Sequence, residues 1–329
     1  MKDLKNLNEK EYYSKYNYFS YSSINKLMYS PVLYYKDYIL NERELSTEKH
    51  LIEGKLVHCL LFEPDEVKNK FKIVPGKTPS DSVRKVLKDM SLHTGDVDLD
   101  NVEDFVILDS LKNMNLYQSL KTNEQRIAKI KTEDNKAYWE FINNPIVDVI
   151  DQNTLEICKA KVDIIKSNSK VMNLLHKNES DFELDPIKTY SELYLECKLN
   201  KYKFGLKGYL DHVIIDEEKK TITICDLKTT SKTLSDFAET LDYYRYWLQA
   251  IIYCKLAFEN FKEQYEDYEI LFKFIVIDKY NQVYVFNVRP ETLNKWSEAL
   301  EDILEQVNYH YTENNFTLPY HFLTNNVSI

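Results

Sequence analysis

Two carboxylates and an ammonium group can be placed together from the sequence alone, on two strands joined by a short turn. The runs Tyr209–Ile215 and Thr221–Lys228 are rich in apolar and β-branched residues, and the charged segment between them is typical of a turn. Because side chains two apart on a strand point to the same face, Asp226 and Lys228 share a face. Folding the first strand back brings Asp211 close to Asp226. We therefore predict a β-hairpin that carries a charged site.

This group of charges could bind a divalent metal ion for phosphodiester hydrolysis. Carboxylate oxygens are hard ligands that suit Mg²⁺ or Mn²⁺, whereas thiolates would suit zinc. Such an ion activates water and neutralises charge in the transition state. Lys228 would orient the attacking water or stabilise the developing negative charge. Taken alone, an Asp-x-Lys pattern is better explained by a surface ion pair, which is worth only ~0–1 kcal/mol.

Two neighbouring predicted elements offer further ligands. The alternating run at 190–196 predicts a third antiparallel strand, on which Glu192 or Glu196 could supply another acid, with Glu192 preferred. His58 follows Gly54 by one helical turn on a broadly apolar helix and could ligate metal from there. A lone histidine on such a face is more often a core residue, so this alternative stays open.

Candidate DNA-binding residues occupy a helix and a strand. Gln249 and Tyr253 lie one turn apart on a helix predicted over about 235–261, where they could position phosphates without sequence preference. Lys203 and Lys207 belong to a locally basic run interleaved with aromatic residues, a pattern that could contact phosphates and stack bases. Ordinary tyrosine packing and a solvated strand face are the alternatives.

Composition limits the possible classes of protein. The chain has 329 residues, 43% of them hydrophobic and 29% charged, enough for one large domain or two smaller ones. Its net charge of −10 argues against general nucleic-acid affinity, although local charge matters more than the sum. The five cysteines are odd in number and form no Cys-x-x-Cys pair, so we expect reduced, buried thiols.

Nothing in the sequence predicts a membrane association. No apolar stretch approaches the ~20 residues that span a bilayer, and the N-terminal sequence is polar rather than a signal-peptide core. We therefore expect a cytoplasmic protein.

The remaining pattern predicts a single α/β domain over residues 1–329 with a helical insertion at about 82–148. Periodicity within the insertion predicts helices at about 82–91, 102–119 and 122–142. Outside it, further strands are predicted from Phe71, over 271–277 and over 283–288, and a C-terminal helix from Pro290.

Five motifs follow one another along the chain: Gly54-x-x-x-His58, Glu192, Gly208-x-x-Asp211, Asp226-x-Lys228 and Gln249-x-x-x-Tyr253. Together they resemble the PD-(D/E)XK nuclease superfamily. The flanking sequence, over about 20–80 and 150–310, is similar to its RecB-like branch, and most of all to the C-terminal nuclease of exonuclease VIII (RecE). The resemblance implies a restriction-endonuclease-like α/β core, with a central mixed sheet flanked by helices. Residues 82–148 have no clear counterpart in it.

The resemblance also implies an activity and a ligand set. The activity is that of a Mg²⁺-dependent exodeoxyribonuclease, with Mn²⁺ able to substitute, which degrades one strand of duplex DNA from its free ends, 5′ to 3′. The product would pass to a single-strand annealing protein in phage-type recombination, and the subunits would form a homo-oligomeric ring. The implied metal ligands are His58, Asp211, Asp226 and the Leu227 carbonyl, with Lys228 catalytic.

Two other readings of the same residues are an endonuclease or Cas4-like nuclease of this fold, and a catalytically inactive DNA-binding protein. The cluster cysteines of a Cas4-like enzyme are missing here. A decayed site would be expected to lose His58, Asp226 or Lys228, so the complete set favours an enzyme.

Overall fold

A mixed β-sheet and the helices around it contain most of the residues singled out above. The structure is a computed structural model that describes residues 12, 15, 17–42, 48–74, 78–94, 97–142, 148–175 and 186–325. Within these residues the strands are β1 (Tyr18–Phe19), β2 (Phe71–Val74), β3 (Asp148–Asp151), β4 (Ile187–Lys198), β5 (Gly205–Asp216), β6 (Thr221–Thr229), β7 (Glu269–Ile277) and β8 (Val283–Asn287).

The helices of the same described residues lie before, between and after these strands. They are α1 (Tyr21–Tyr29), α2 (Pro31–Tyr34), α3 (Lys49–Phe62), α4 (Val67–Lys70), α5 (Asp81–Thr94), α6 (Asp104–Asn113), α7 (Asn123–Ile130), α8 (Glu133–Ile142), α9 (Gln152–Ser167), α10 (Ser169–Met172), α11 (Phe237–Tyr243), α12 (Tyr246–Phe261), α13 (Pro290–Glu313) and α14 (Tyr320–Thr324). Short 3₁₀ turns lie at Pro64–Glu66, Leu99–Asn101 and Leu234–Asp236, and a π-helical turn at Tyr35–Ile39.

Contacts between residues divide the chain into two compact units. The sheet unit comprises Met1–Glu44 and Ile164–Ile329, and the helical unit comprises Leu45–Asp163. The helical unit begins earlier and ends later than the insertion proposed from the sequence at about 82–148. The single-domain description over 1–329 stays a prediction.

The sheet unit is built on six described strands in the order β1-β5-β6-β7-β8, with β4 also paired to β5. β5 is antiparallel to β4 and β6, whereas β6 and β7 are parallel. The predicted hairpin is confirmed, because β5 and β6 pair from Asp216 opposite Thr221 to His212 opposite Cys225. Alternating apolar residues on these strands supply the inner face of the core. The mixed sheet with flanking helices confirms the predicted fold class.

Helix α12 packs across β4, β5, β6 and β7, and it brings Gln249 and Tyr253 to the middle of the sheet. Its contact with β5 depends on Gly208. A Cβ atom at this position would lie 2.8 Å from Cε1 of Tyr253, a distance that real Cβ contacts do not reach. Glycine therefore allows the helix to approach the strand that carries Asp211.

The prediction of one continuous helix over about 235–261 is wrong, because this segment forms two helices, α11 and α12. Arg245, between α11 and α12, has φ 52° and ψ 43°, in the left-handed region. The carbonyl of the preceding residue, Tyr244, accepts hydrogen bonds from the Tyr21 hydroxyl at 2.6 Å and the Asn25 amide at 3.4 Å. These hydrogen bonds from α1 stabilise the backbone where the helix is interrupted.

The helical unit has a core of its own, formed by α5 to α8 and the two-stranded parallel sheet of β2 and β3. The helix predicted over 122–142 is two helices, because Thr132 interrupts it and its hydroxyl accepts the backbone N–H of Asn135 at 3.3 Å. The helix predicted over 102–119 is shorter and ends at Asn113. Strand β3 was not predicted, although its sequence Asp-Val-Ile-Asp has strand character.

Two global predictions can be compared with the structure. The five cysteines are free and buried, as expected. Among the described helices, none combines the length and the apolar character that crossing a bilayer requires.

Candidate metal centre

The two aspartates predicted from the hairpin lie where the pairing of β5 with β6 ends. Beyond the pairing of His212 with Cys225, the backbone N–H of Leu227 donates to Oδ2 of Asp211 at 2.8 Å. A side-chain carboxylate thus accepts the hydrogen bond that a backbone carbonyl would accept in a continuing ladder. Asp211 is 7% exposed and Asp226, on the facing strand, is fully buried. The prediction that the hairpin brings these two acids to one place is consistent with this register.

Glu192 provides the third acid of this group. One of its carboxylate oxygens lies within 4.8 Å of a carboxylate oxygen of Asp211. Glu192 has φ 49° in the middle of β4, a left-handed conformation that costs of order 1–3 kcal/mol for a non-glycine residue. The strands are joined on one side of it by a 3.0 Å hydrogen bond between Ser191 Oγ and His212 Nδ1.

Glu196, the alternative third acid, is used elsewhere in the sheet unit. Its carboxylate forms an ion pair with Lys15 and accepts a hydrogen bond from the Tyr194 hydroxyl at 2.5 Å. Burial alone would raise the pKa of Glu196, but these donors outweigh it and hold the pKa below its ordinary value. The structure therefore favours Glu192 of the two acids that the sequence left open.

Lys228 lies within this group of acids. Its Nζ is 2.5 Å from Oδ2 of Asp226 and donates to Oε1 of Gln249 at 2.9 Å. Burial alone would lower the pKa of Lys228, but the charges of Asp226 and Asp211 outweigh it and raise the pKa. Lys228 is therefore an ammonium ion at neutral pH, suited to electrostatic stabilisation rather than to proton abstraction.

Helix α12 holds Lys228 through three side chains of one face. Gln249, which binds Lys228, donates from Nε2 to the Tyr253 hydroxyl at 3.0 Å. The ring of Tyr246 lies below the ammonium, with Nζ 4.6 Å from the ring centroid. Gln249 and Tyr253 were predicted to contact DNA phosphates. Both side chains are buried, and both take part in hydrogen bonds next to Lys228. Tyr246 was not selected, although its position three residues before Gln249 was a usable signal.

Comparison with known proteins identifies the family. A family model described as the PD-(D/E)XK nuclease superfamily matches residues 119–317. This chain belongs to the PD-(D/E)XK nuclease superfamily. The prediction from the sequence motifs is thereby confirmed at the level of the superfamily, while the closer similarity to exonuclease VIII stays a prediction.

A solved structure gives the same fold for this nuclease. A protein from Eubacterium rectale, provisionally named an exonuclease, superposes with a TM-score of 0.51 at 11% sequence identity, covering 99% of this chain and 96% of that one. A similarity at this identity concerns the fold alone. A comparison with curated protein sequences finds no significant match.

Lys207, which was predicted to belong to an exposed basic face, is buried. This residue is 5% exposed, and its Nζ donates to the carbonyls of Tyr12 at 2.5 Å and Lys15 at 3.1 Å. Burial lowers the pKa of Lys207 to about 8. Because the Lys207 ammonium is enclosed and hydrogen-bonded to these two carbonyls, it is not exposed to contact a phosphate. The prediction of an exposed basic face is therefore wrong at Lys207. Lys203 is exposed, as the prediction requires, and its DNA contact stays a prediction.

His58 belongs to the helical unit, where it is half-buried on α3 with its ring 5.8 Å from that of Phe62. Its role as a metal ligand rests on the sequence resemblance and stays a prediction, as does that of the Leu227 carbonyl.

The acids of the sheet unit fit a divalent hard cation. Asp211, Glu192 and Asp226 offer carboxylate oxygens, the ligands that Mg²⁺ and Mn²⁺ prefer, and the buried cysteines lie outside this set. Asp211 lies close to the half-buried carboxylate of Glu192, and Lys228 is paired with Asp226, so the acids outnumber the ammonium and a divalent cation would compensate the remaining charge.

Proposed function

We propose that this chain is a divalent-metal-dependent deoxyribonuclease that hydrolyses phosphodiester bonds at the end of the β5–β6 hairpin. The observations that carry the proposal are the approach of the Glu192 and Asp211 carboxylates to one another and the ion pair of the largely buried Lys228 with Asp226, one residue before the Leu227 N–H that binds Asp211. Membership of a nuclease superfamily supports the substrate class.

Each residue of the group has a distinct part in this reaction. Asp211 and Asp226 would hold the cation together with Glu192, and Asp211 is fixed in place by the Leu227 N–H. When bound, Mg²⁺ or Mn²⁺ supplies Lewis acidity that neutralises the phosphate and makes a water molecule easier to deprotonate. Lys228, oriented by Gln249, donates hydrogen bonds to oxygens that gain negative charge in the transition state.

In its finer detail the proposal follows the sequence resemblance. We propose that Mg²⁺ is the working ion and that one strand of duplex DNA is degraded from a free end, 5′ to 3′. The single-stranded product would be taken up by an annealing protein in phage-type recombination, with the nuclease acting as a ring-shaped homo-oligomer. The provisional name of the Eubacterium rectale protein is compatible with an exonuclease.

Three DNA substrates test this function: linear, nicked and covalently closed circular duplexes, each incubated with Mg²⁺, with Mn²⁺ and with EDTA. We expect metal-dependent loss of linear DNA by wild type, with the closed circle intact. Asp226→Ala and Lys228→Ala should remove this activity and retain the wild-type circular dichroism spectrum. Cutting of closed circles would indicate an endonuclease, and binding without any loss of DNA would indicate an inactive binding protein.

A further inference from the structure

A turn of exposed aromatic residues adjoins the candidate site. It starts at the last residue of α11 and leads into α12; it consists of Tyr243, Tyr244 and Arg245 and is here called the aromatic turn. The side chain of Tyr243 is 77% exposed and that of Tyr244 is 47% exposed. Large aromatic side chains at such exposure lose the free energy that burial would give them. These two rings are therefore available for contact with a ligand.

The backbone of the aromatic turn is fixed in a costly conformation. Arg245 is left-handed, which costs of order 1–3 kcal/mol for a side chain of this kind. Helix α1 holds it there: Tyr21 and Asn25 both donate to the Tyr244 carbonyl, and the Arg245 guanidinium donates to Oδ1 of Asn25 at 2.9 Å. The exposed rings are thus presented from a rigid support, which lowers the entropy lost when a ligand binds.

The rings are continuous with the catalytic ammonium. Tyr244 stacks on Tyr246, with ring centroids 5.4 Å apart and planes 22° apart, and the Tyr246 ring lies against Nζ of Lys228. Tyr243 meets Tyr244 edge-on at 4.9 Å and 88°. A phosphate bound at Lys228 would therefore have the aromatic turn as its neighbour.

We propose that the aromatic turn is a stacking site for a nucleobase of the DNA strand that is cut, next to the scissile phosphate. This inference rests on the function proposed above and names the part of the substrate that the turn contacts. Base–aromatic stacking contributes ~1–3 kcal/mol per base and is tolerant of sequence, as a degrading nuclease requires. Inside a duplex both faces of a base are covered by its neighbours, so the turn fits an unpaired base or the last base of an end.

The test separates bases from phosphates. Two single strands of equal length are compared by fluorescence anisotropy in EDTA, one with normal bases and one in which every nucleotide is abasic. The abasic strand keeps all its phosphates, so a difference in Kd reports contacts with bases. The variants are Tyr244→Ala, Tyr244→Phe, and Phe258→Ala as a matched control. Phe258 is 51% exposed on the same helix α12, about 18 Å along its axis from Tyr246 at 1.5 Å per residue.

We expect wild type to bind the normal strand at least ~5-fold more tightly than the abasic strand. Tyr244→Ala should lose this preference, while Tyr244→Phe, which keeps the ring, and Phe258→Ala should retain it. The inference is overturned if Tyr244→Ala keeps the preference, if it weakens both strands equally, or if wild type has no preference. Cleavage with Mg²⁺ or Mn²⁺ is measured separately, so a wild type that stacks bases but leaves DNA intact would contradict the nuclease function alone.

Discussion

Two buried aspartates, one in each unit, have similar backbone contacts but different charged surroundings. Asp151 of the helical unit is 6% exposed and Asp211 of the sheet unit is 7% exposed. Each accepts a backbone N–H, Asp151 from Thr154 at 2.6 Å and Asp211 from Leu227 at 2.8 Å. Burial and local geometry therefore do not distinguish them.

The surroundings of the two carboxylates are different. Asp151 also accepts the backbone N–H of Thr78 at 3.0 Å and its hydroxyl at 2.9 Å. Burial alone would raise the pKa of Asp151, but these hydrogen bonds outweigh it and lower the pKa to about 2. Asp211 instead faces the carboxylate of Glu192. A negative charge matched by donors stabilises the fold, whereas one placed beside another negative charge prepares the fold for a cation.

The largest expected effect is the loss of cleavage in Asp211→Asn. We expect the initial rate on linear duplex DNA to fall by at least ~1,000-fold, or about 4 kcal/mol at 1.36 kcal/mol per tenfold. Its free energy of unfolding in EDTA should stay within about 1 kcal/mol of wild type, because the amide can still accept the Leu227 N–H and the lost attraction to Lys228 is offset by the removal of repulsion from Glu192. Asp151→Asn is the control and should cleave at the wild-type rate per folded molecule. Equal rates in both variants would remove the distinction between the two aspartates.

The next effect is stabilisation by metal. At a Mn²⁺ concentration 100 times its Kd, wild type should gain ~2.7 kcal/mol in unfolding free energy, because the ion binds only the folded protein. Urea unfolding with and without Mn²⁺ measures this increment. Asp151→Asn should show the same gain, and Asp211→Asn should gain at most ~1.4 kcal/mol, the value for a site that binds tenfold more weakly. A full gain in Asp211→Asn would place the ion elsewhere.

A smaller effect is the loss of stability in Asp151→Asn at pH 7. The pKa of Asp151 falls from 3.8 to about 2 on folding, which corresponds to about 2 kcal/mol. We expect the variant to unfold with a free energy lower by this amount in urea. Asp211→Asn should lower the free energy of unfolding by less than Asp151→Asn does. A larger loss in Asp211→Asn would contradict the comparison of the two aspartates.

The smallest expected effect is the pH dependence of the stability that Asp151 contributes. Because the folded pKa of Asp151 is depressed, its stabilisation is complete above pH 3.8 and is lost as the pH falls towards 2. The difference in unfolding free energy between wild type and Asp151→Asn should therefore be constant from pH 7 to about 5 and should shrink below 3.8. A difference that stays constant down to pH 2 would mean that the Asp151 charge contributes nothing.

The sequence predicted the strands and the β5–β6 hairpin better than the breaks between helices. Alternation along 221–228 and the charged turn were sufficient to place Asp211 near Asp226, because strand period and hairpin geometry are local properties. The break at Arg245 was not predictable, since it depends on hydrogen bonds from Tyr21 and Asn25, which are distant in the chain.

Tertiary contacts also explain the other differences. The lysine run around Lys207 indicated an exposed face, but Lys207 is enclosed by the carbonyls of Tyr12 and Lys15. Similarly, a strand pattern cannot reveal that Glu192 has a positive φ in the middle of β4. Gln249 and Tyr253 were found by their helical spacing, yet the spacing alone did not show that Gln249 accepts a hydrogen bond from Lys228 and donates one to Tyr253.

The most direct test of the account is Mn²⁺ binding measured by isothermal titration calorimetry in wild type, Asp211→Asn and Asp151→Asn. We predict that wild type and Asp151→Asn bind with the same Kd and that Asp211→Asn binds at least ~10-fold more weakly, as expected when a coordinating group is altered. Wild-type affinity in Asp211→Asn would contradict the metal centre proposed at the end of the β5–β6 hairpin.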